Sequence, residues 1–134
     1  MKVQGKCYCG NVRYEAEGEP MMAAQCLCRE CQYITGGGPN MFMAMPATGF
    51  TYTAGEPKQF TRKDLDRAVT REFCPECGTH LATRVPSLPA VIVKVGTLDD
   101  SKVYNPQIAI YTCDKPDFHH VPDGMPAFAR MPAQ

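Results

Sequence analysis

The segment Cys74-Pro75-Glu76-Cys77-Gly78 predicts a zinc knuckle, a tight turn that directs two thiols toward one metal ion. Gly78 favours this turn because glycine adopts the required positive φ without steric cost. A knuckle supplies two ligands, whereas a structural zinc takes four in tetrahedral geometry. The missing pair is best supplied by Cys7-Tyr8-Cys9-Gly10, where two cysteines two positions apart on extended backbone point to the same side. The sequence therefore predicts a closed structural Zn²⁺ site at Cys7, Cys9, Cys74 and Cys77.

A second group of cysteines, Cys26, Cys28 and Cys31, remains after this assignment. Three protein ligands with a fourth position left for water or substrate are typical of a catalytic zinc. We therefore predict an open, reactive Zn²⁺ site at these residues, and two zinc ions per chain. Two other interpretations are weaker. Buried apolar cysteines rarely cluster at such short spacings, and a redox dithiol at Cys74 and Cys77 would not explain the other two groups.

The composition is that of a globular protein from a reducing compartment. The chain has 134 residues, 44% hydrophobic and 21% charged, which suits a single domain over residues 1–134 with a core of its own. No apolar run follows the first lysines, and none is long enough for a membrane span, so we expect a cytoplasmic protein. The zero net charge argues against nucleic acid and against an anionic membrane as partners. The sequence does not determine the oligomeric state, and a homo-oligomer is compatible with it.

The spacing of apolar residues and turn formers predicts a mainly β protein with one short helix. The helix is predicted over Arg29–Thr35, ended by Gly36. The proline-rich segment from about residue 114 is predicted to be an extended tail that wraps the domain and frays near Gln134. Strands are predicted over 12–16, 41–45, 50–53, 91–95 and 108–112, and segments 68–73 and 81–84 are predicted to flank a tight hairpin.

Ordered motifs surround the cysteines and extend through most of the chain. They are Gly5-Lys6-Cys7-Tyr8-Cys9-Gly10-Asn11-Val12-Arg13-Tyr14, Cys26-Leu27-Cys28-Arg29-Glu30-Cys31-Gln32 with Thr35-Gly36, Phe73-Cys74-Pro75-Glu76-Cys77-Gly78-Thr79, Gly96-Thr97-Leu98-Asp99-Asp100, Lys115-Pro116-Asp117-Phe118 and Asp123-Gly124-Met125-Pro126. In these residues the sequence resembles the glutathione-dependent formaldehyde-activating (GFA) family, which also includes centromere protein V. The resemblance implies several small coiled antiparallel sheets around a structural zinc, and a second zinc on the three-cysteine loop.

The resemblance also implies carbon–sulfur bond chemistry, in which glutathione adds to formaldehyde to give S-hydroxymethylglutathione. We therefore expect a zinc-dependent carbon–sulfur lyase or synthase that acts on a small thiol adduct, with glutathione as a candidate partner. Its catalytic residues would be Cys26, Cys28 and Cys31. Leu27 stands where many family members carry histidine. The alternative is a non-catalytic zinc module whose surface binds a protein partner.

Several residues near the cysteines have competing interpretations. A zinc held by three thiolates carries about one negative charge, so compensating groups are expected, and Arg29 and the amides of Gly36, Gly37 and Gly38 are candidates. His119 and His120 are candidate ligands or acid–base groups, and Cys113 is predicted to be a buried small apolar residue. His80 is predicted to be structural. Core packing is predicted for Met41, Met43 and Met45, and a solvated hairpin face for Lys58, Arg62, Lys63, Arg67 and Arg71.

Overall fold

A computed structural model describes residues 1–132 of the chain. Within this range the chain forms ten strands and one α-helix. The elements are β1 (Lys2–Lys6), β2 (Arg13–Glu17), β3 (Met22–Cys26), α1 (Arg29–Thr35), β4 (Asn40–Pro46), β5 (Phe50–Ala54), β6 (Lys58–Thr61), β7 (Thr70–Phe73), β8 (His80–Arg84), β9 (Ala90–Lys94) and β10 (Ile108–Ile110). One sheet has three strands in the order β1-β2-β5. The other has seven in the order β10-β3-β4-β9-β8-β7-β6.

Neighbouring strands are antiparallel except at one edge, where β10 runs parallel to β3. The chain then returns past this edge. A parallel bridge joins Ala109 to Ala127, and the amide of Thr112 donates to the carbonyl of Phe128 at 3.1 Å. The proline-rich segment thus covers a sheet edge that would otherwise expose unpaired backbone groups. The fraying predicted near Gln134 lies outside the described residues.

The predicted mainly β class with one short helix is confirmed. Every predicted strand is present with its ends shifted by no more than two residues, and the helix has the predicted bounds. Three strands, β1, β3 and β6, were not predicted. All four residues of β6 are exposed, so no alternation of burial marks it in the sequence. Among residues 1–132, no helix is long and apolar enough to cross a membrane.

The seven-stranded sheet is covered on both faces. Successive side chains of a strand point to opposite faces, so β4 places Met43 and Met45 on one face and Phe42 and Ala44 on the other. Met43 and Met45 pack with Tyr14 of β2 in the core between the two sheets, which confirms the predicted packing of these methionines, and Met41 packs against it partly buried. On the opposite face, Phe42 and Ala44 pack with Cys26 and Cys31 beneath α1.

A buried carboxylate also ties the two sheets together. Glu72 of β7 is 2% exposed. It accepts hydrogen bonds from the hydroxyl of Tyr52 in β5 at 2.7 Å, from Nε2 of Gln59 at 2.7 Å and from Nε of Arg84 at 3.0 Å. A buried charge is costly unless it is paired and hydrogen-bonded, and here both conditions are met.

Gly55 tests how tightly the small sheet is packed. Its φ is +71°, and a Cβ there would overlap the backbone carbonyl oxygen of Asn11. We expect Gly55→Ala to lower the free energy of unfolding by at least about 2 kcal/mol, because left-handed strain and steric overlap add together. Gly38→Ala is the matched control, since a Cβ at Gly38 meets open space. It should change stability by less than about 0.5 kcal/mol. Equal urea midpoints for the two variants would contradict this packing.

Candidate metal centre

The first cysteine cluster joins two turns that are far apart in sequence. One turn follows β1 and carries Cys7 and Cys9, and the other connects β7 to β8 and carries Cys74 and Cys77. The four sulfurs all lie within 4.8 Å of one another. The Sγ of Cys9 is 3.6 Å from that of Cys7 and 3.7 Å from that of Cys74. The predicted partition of the cysteines therefore agrees with the geometry, and this cluster could hold a metal ion.

Each turn is closed by a glycine with positive φ. Gly10 (φ +82°) and Gly78 (φ +77°) close them, and their amides donate to the carbonyls of Cys7 and Cys74 at 3.1 and 2.9 Å. The amide of Val12 donates to the sulfur of Cys7 at 3.3 Å. Donors of this kind stabilise the thiolate relative to the thiol, and the thiolate is the form that binds metal.

The hydroxyl of Thr79 supports the fourth sulfur of this cluster. It lies 3.2 Å from the Sγ of Cys77 and accepts from the amide of Tyr8 at 3.0 Å. The Thr79 contact is the main cause that lowers the pKa of the Cys77 thiol, to about 5. One threonine therefore connects the two turns and favours ionisation of a ligand sulfur.

The second cluster lies where β3 meets α1. Cys26 ends β3, Cys28 caps the N-terminus of α1 by accepting from the amide of Cys31 at 3.3 Å, and Cys31 lies in the first turn of the helix. The three sulfurs lie within 4.8 Å of one another. Cys26 and Cys31 are buried, whereas Cys28 is partly exposed. This cluster could also hold a metal ion, and one side of it is open to solvent.

Gln32 and Asp114 hold the loop of the second cluster in place. Gln32 Nε2 donates to the carbonyls of Leu27 and Asp114, both at 2.9 Å. A carboxylate oxygen of Asp114 accepts from the amide of Arg29 at 3.2 Å. The chain after β10 therefore fixes the start of α1. The sequence did not reveal the role of Asp114, because it lies 85 positions from Arg29 and 82 positions from Gln32 along the chain.

The charges of the three thiols are strongly linked. Hydrogen bonds from Cys26, and then from Cys31, lower the pKa of the Cys28 thiol to about 2. The bond to Cys28 is the main cause that raises the pKa of Cys26 far above its usual range. The three sulfurs therefore share hydrogen bonds, and the negative charge of one opposes ionisation of the others. Ionisation of all three sulfurs requires a bound positive ion, which is the role of a metal.

Lys94 is a buried cation near this cluster that the sequence analysis missed. It ends β9, is 8% exposed, and donates from Nζ to the hydroxyl of Thr83 at 3.1 Å. Burial lowers its pKa to about 8, and the nearby Cys31 partly opposes this shift, so the ammonium stays mostly charged at pH 7. The signal was available, because Lys94 is the single charge within the apolar run 91–95 and such a charge needs a partner.

Arg29 and the glycine amides, expected to offset the negative charge of the second cluster, make other contacts. The guanidinium of Arg29 lies 4.8 Å from the centre of the Tyr33 ring and donates to Oε1 of Gln32 at 2.7 Å. The amides of Gly36 and Gly37 donate to the carbonyl of Gln32 at 2.9 and 2.8 Å, where they end the helix. The interpretation of these two amides as free donors for an anion is therefore wrong, because the end of α1 needs them.

No histidine joins either cysteine cluster within residues 1–132. His119 instead shares a hydrogen bond of 3.1 Å with Oε1 of Gln25, and His120 is exposed. Cys113 is also exposed, so its prediction as a buried apolar residue is wrong. The reason is local: β10 ends at Ile110, and Cys113 lies in a following 3₁₀ turn rather than on the strand.

A groove of about 480 Å³ borders α1 on the side opposite β3. We call it the basic groove. Tyr33 of α1, Phe60 of β6, Arg71 of β7 and His80 of β8 are among its lining residues. Burial lowers the pKa of His80, and the charge of Lys94 lowers it further. Lys94 thus lies within electrostatic reach of both the groove and the second cluster.

Comparison with known proteins agrees with this arrangement. The sequence model of the glutathione-dependent formaldehyde-activating enzyme family matches residues 2–114, a span that contains all seven clustered cysteines. The chain belongs to this family. A GFA relative from Halomonas elongata, named provisionally as a glutathione-dependent formaldehyde-activating enzyme, is 24% identical over 125 residues, which cover 88% of this chain and 80% of that protein. A crystal structure of a Rhodobacter sphaeroides protein has a similar fold, with a TM-score of 0.61 and 20% identity over 93% of this chain and 98% of that one.

Leu27 lies between the first two cysteines of the second cluster. Leu27 is 1% exposed, and its amide donates to the carbonyl of Ile110 at 3.0 Å. Its side chain therefore belongs to the protein interior, and leucine offers no atom that could bind a metal. Within the described residues, the second cluster of this GFA protein offers only sulfur atoms as candidate ligands.

The two clusters of this GFA protein should differ in their effect on stability. We expect two zinc ions per chain in the wild type and in the control Cys113→Ser, and one in Cys28→Ser with the fold intact. Cys74→Ser should lower the free energy of unfolding by about 5 kcal/mol or more, because a closed zinc site contributes folding free energy directly. Plasma emission gives the zinc content, and urea unfolding gives the stability. One zinc in folded wild type, or equal destabilisation by Cys28→Ser and Cys74→Ser, would contradict this division.

Proposed function

We propose that this chain is a zinc-dependent enzyme that forms or cleaves the carbon–sulfur bond of a small thiol adduct, such as that of glutathione with formaldehyde. In this proposal Cys7, Cys9, Cys74 and Cys77 hold a structural Zn²⁺. Cys26, Cys28 and Cys31 hold a catalytic Zn²⁺. The observation that carries the proposal is the second cluster, which offers three ligands, lacks a fourth protein ligand within residues 1–132, and has one side exposed at Cys28.

Two further observations support the proposal. The family is named for a glutathione-dependent enzyme that activates formaldehyde, and so is the relative from Halomonas elongata. The ligands of both clusters are all thiols, a set that suits zinc in a reducing compartment. Three protein ligands and a vacant fourth position are characteristic of catalytic rather than structural zinc sites.

The reaction is an addition of a thiol to a carbonyl group. A bond forms between the thiol sulfur and the carbonyl carbon, the C=O double bond becomes a single bond, and the proton lost by the thiol ends on the oxygen. The lyase direction reverses each change. When bound, zinc would supply a position at which the substrate thiol is held as a thiolate, the nucleophilic form, at neutral pH.

The residues of the chain then have distinct tasks. The amide of Cys31, which donates to the sulfur of Cys28, and the amide side chain of Gln32 keep the three ligands in position. Lys94 offsets negative charge, which grows by about one unit when a substrate thiolate joins three protein thiolates. Leu27, at 1% exposure, closes the inner side of the loop to water.

Exchange spectroscopy by NMR tests the activity directly. With formaldehyde and glutathione, the wild-type protein should accelerate exchange between free and adduct forms. Cys28→Ser should lose this acceleration by at least about 100-fold, more than is typical for a residue outside the ligand set. Cys113→Ser is the matched control, since this exposed thiol belongs to neither cluster, and it should behave as wild type. A wild type that holds two zinc ions yet accelerates no thiol adduct would favour the protein-interaction module.

Substitution with Co²⁺ tests the role of Lys94. Adding glutathione should strengthen the thiolate-to-cobalt charge-transfer bands in wild type but not in Cys28→Ser. Lys94→Met should raise the half-saturating glutathione concentration about tenfold, because one buried charge interaction is lost. The variant should fold, since an apolar side chain of similar length replaces a buried cation. The control is Lys102→Met, at an exposed lysine of a 3₁₀ turn. Equal glutathione titrations for the two variants would rule out this role.

A further inference from the structure

The walls of the basic groove are largely aromatic and apolar. Tyr33 and Ile34 of α1 form one side, and Phe60 of β6, Phe73 of β7 and His80 of β8 form the other. The Phe73 and His80 rings lie 5.3 Å apart with an interplanar angle of 31°. Tyr33 is 77% exposed and Phe60 is 57% exposed. Such exposure is unusual for two large aromatic side chains that line the same groove. The volume, about 480 Å³, lies within the range of small-molecule sites.

The groove also carries an excess of positive charge. Lys58, Arg62 and Arg71 line it together with a single carboxylate, that of Glu30. The sequence placed these cations on a solvated hairpin face, but pairing in the sheet turns Lys58 and Arg71 toward the groove. Arg62 binds Asp64 through two hydrogen bonds of 2.9 and 2.6 Å, so its charge is already matched.

Two of these cations can still bind a ligand. Arg71 has one long contact of 3.4 Å to Glu30, and its side chain is only 12% exposed. Lys58 makes no ion pair with any residue of 1–132. Both sit on the strands that carry the aromatic walls, and Lys58 lies directly opposite Phe73 in the β6–β7 register. An anionic group between them would gain two charge-assisted contacts.

His80, in the wall of the groove, has a ring nitrogen without a partner among the described residues. Its Nδ1 is buried and has no hydrogen-bond partner in the described part of the chain. Buried polar atoms are nearly always satisfied, so this nitrogen is an exception, and it belongs to a residue of the groove wall. Because burial lowers the pKa of His80, its ring is neutral at pH 7 and carries one N–H that can donate to an oxygen.

We infer that the basic groove binds an aromatic carboxylate. Its ring packs between Tyr33 and the Phe60, Phe73 and His80 side chains, and its carboxylate meets Arg71 and Lys58. Formaldehyde has one carbon and needs no such wall, and glutathione has no large apolar group. In the proposed reaction, on which this assignment of a substrate class rests, the carbonyl half of the adduct is therefore an aromatic aldehyde that bears a carboxylate. Ile34, which lines the groove, lies three positions after Cys31 on α1, and residues so spaced are neighbours on a helix surface, so the groove adjoins the second cluster.

The binding test uses 4-methylbenzoate, which has the ring and the carboxylate but neither a thiol nor an aldehyde. Protein-observed NMR should show saturable binding to wild type and equally to Cys28→Ser, because this probe does not need the second metal. Acetate, which lacks the ring, and toluene, which lacks the carboxylate, should bind at least about tenfold more weakly. Absence of saturable binding, or equal binding of all three probes, would overturn the inference.

Variants locate the binding site in the groove. Phe60→Ala and Lys58→Gln should each weaken 4-methylbenzoate binding about tenfold, and both should fold because these side chains are exposed. The matched controls are Phe118→Ala, an aromatic ring that is 81% exposed outside the groove, and Lys63→Gln, an exposed lysine that does not line it. Both controls should bind as wild type does. Equal effects of a groove variant and its control would refute the assignment.

The substrate assignment is tested separately with 4-formylbenzoate and glutathione. Wild type should accelerate exchange of this aldehyde with its thiol adduct. Phe60→Ala should lose most of that acceleration, whereas the control Phe118→Ala should keep it. Binding of 4-methylbenzoate without acceleration of either aldehyde would refute the proposed enzyme but leave the groove as a binding site. Acceleration with formaldehyde alone, without 4-methylbenzoate binding, would refute the groove and leave the enzyme.

Discussion

The convergence of four sulfurs within 4.8 Å is the constraint on which this fold depends. It connects the turn after β1, in the three-stranded sheet, to the turn between β7 and β8, in the seven-stranded sheet. Thiolates this close repel one another strongly, so a bound cation would stabilise the arrangement. The apolar core between the two sheets and the hydrogen bonds of Glu72 also connect the three-stranded sheet to the seven-stranded sheet.

The two clusters place the same type of side chain in different surroundings. In the first, two glycine-closed turns surround the sulfurs and Thr79 links the turns. In the second, one strand end and one short helix supply three sulfurs from a single side, and the partly exposed Cys28 faces solvent. The first cluster is enclosed because two separate turns supply its sulfurs, whereas the second is open because its sulfurs come from one continuous segment. The buried ammonium of Lys94 lies near the open cluster, where a further negative ligand would raise the need for positive charge.

Features coded locally could be predicted from sequence, and features created by tertiary contacts could not. The cysteine groups, the knuckle glycine and the capped helix Arg29–Thr35 each depend on residues within a few positions, and the structure agrees with them. Strand β6, at one edge of the seven-stranded sheet, was not predicted, because all four of its residues are exposed and its sequence shows no alternation of buried and exposed positions. The burial of Lys94, the use of the Gly36 and Gly37 amides at a helix end, and the exposure of Cys113 all depend on where distant strands begin and end.

The sequence separation of the ligands gives the two clusters different routes of assembly. The three-cysteine loop spans residues 26–31, so its sulfurs can meet in an unfolded chain with little loss of chain entropy. The four-cysteine cluster must bring residues 9 and 74 together, across 65 positions, and that closure is slow unless the strands between them have already paired. A chain that meets scarce metal as it leaves the ribosome would therefore capture its first ion at the local loop, and would lock its overall shape only with the second.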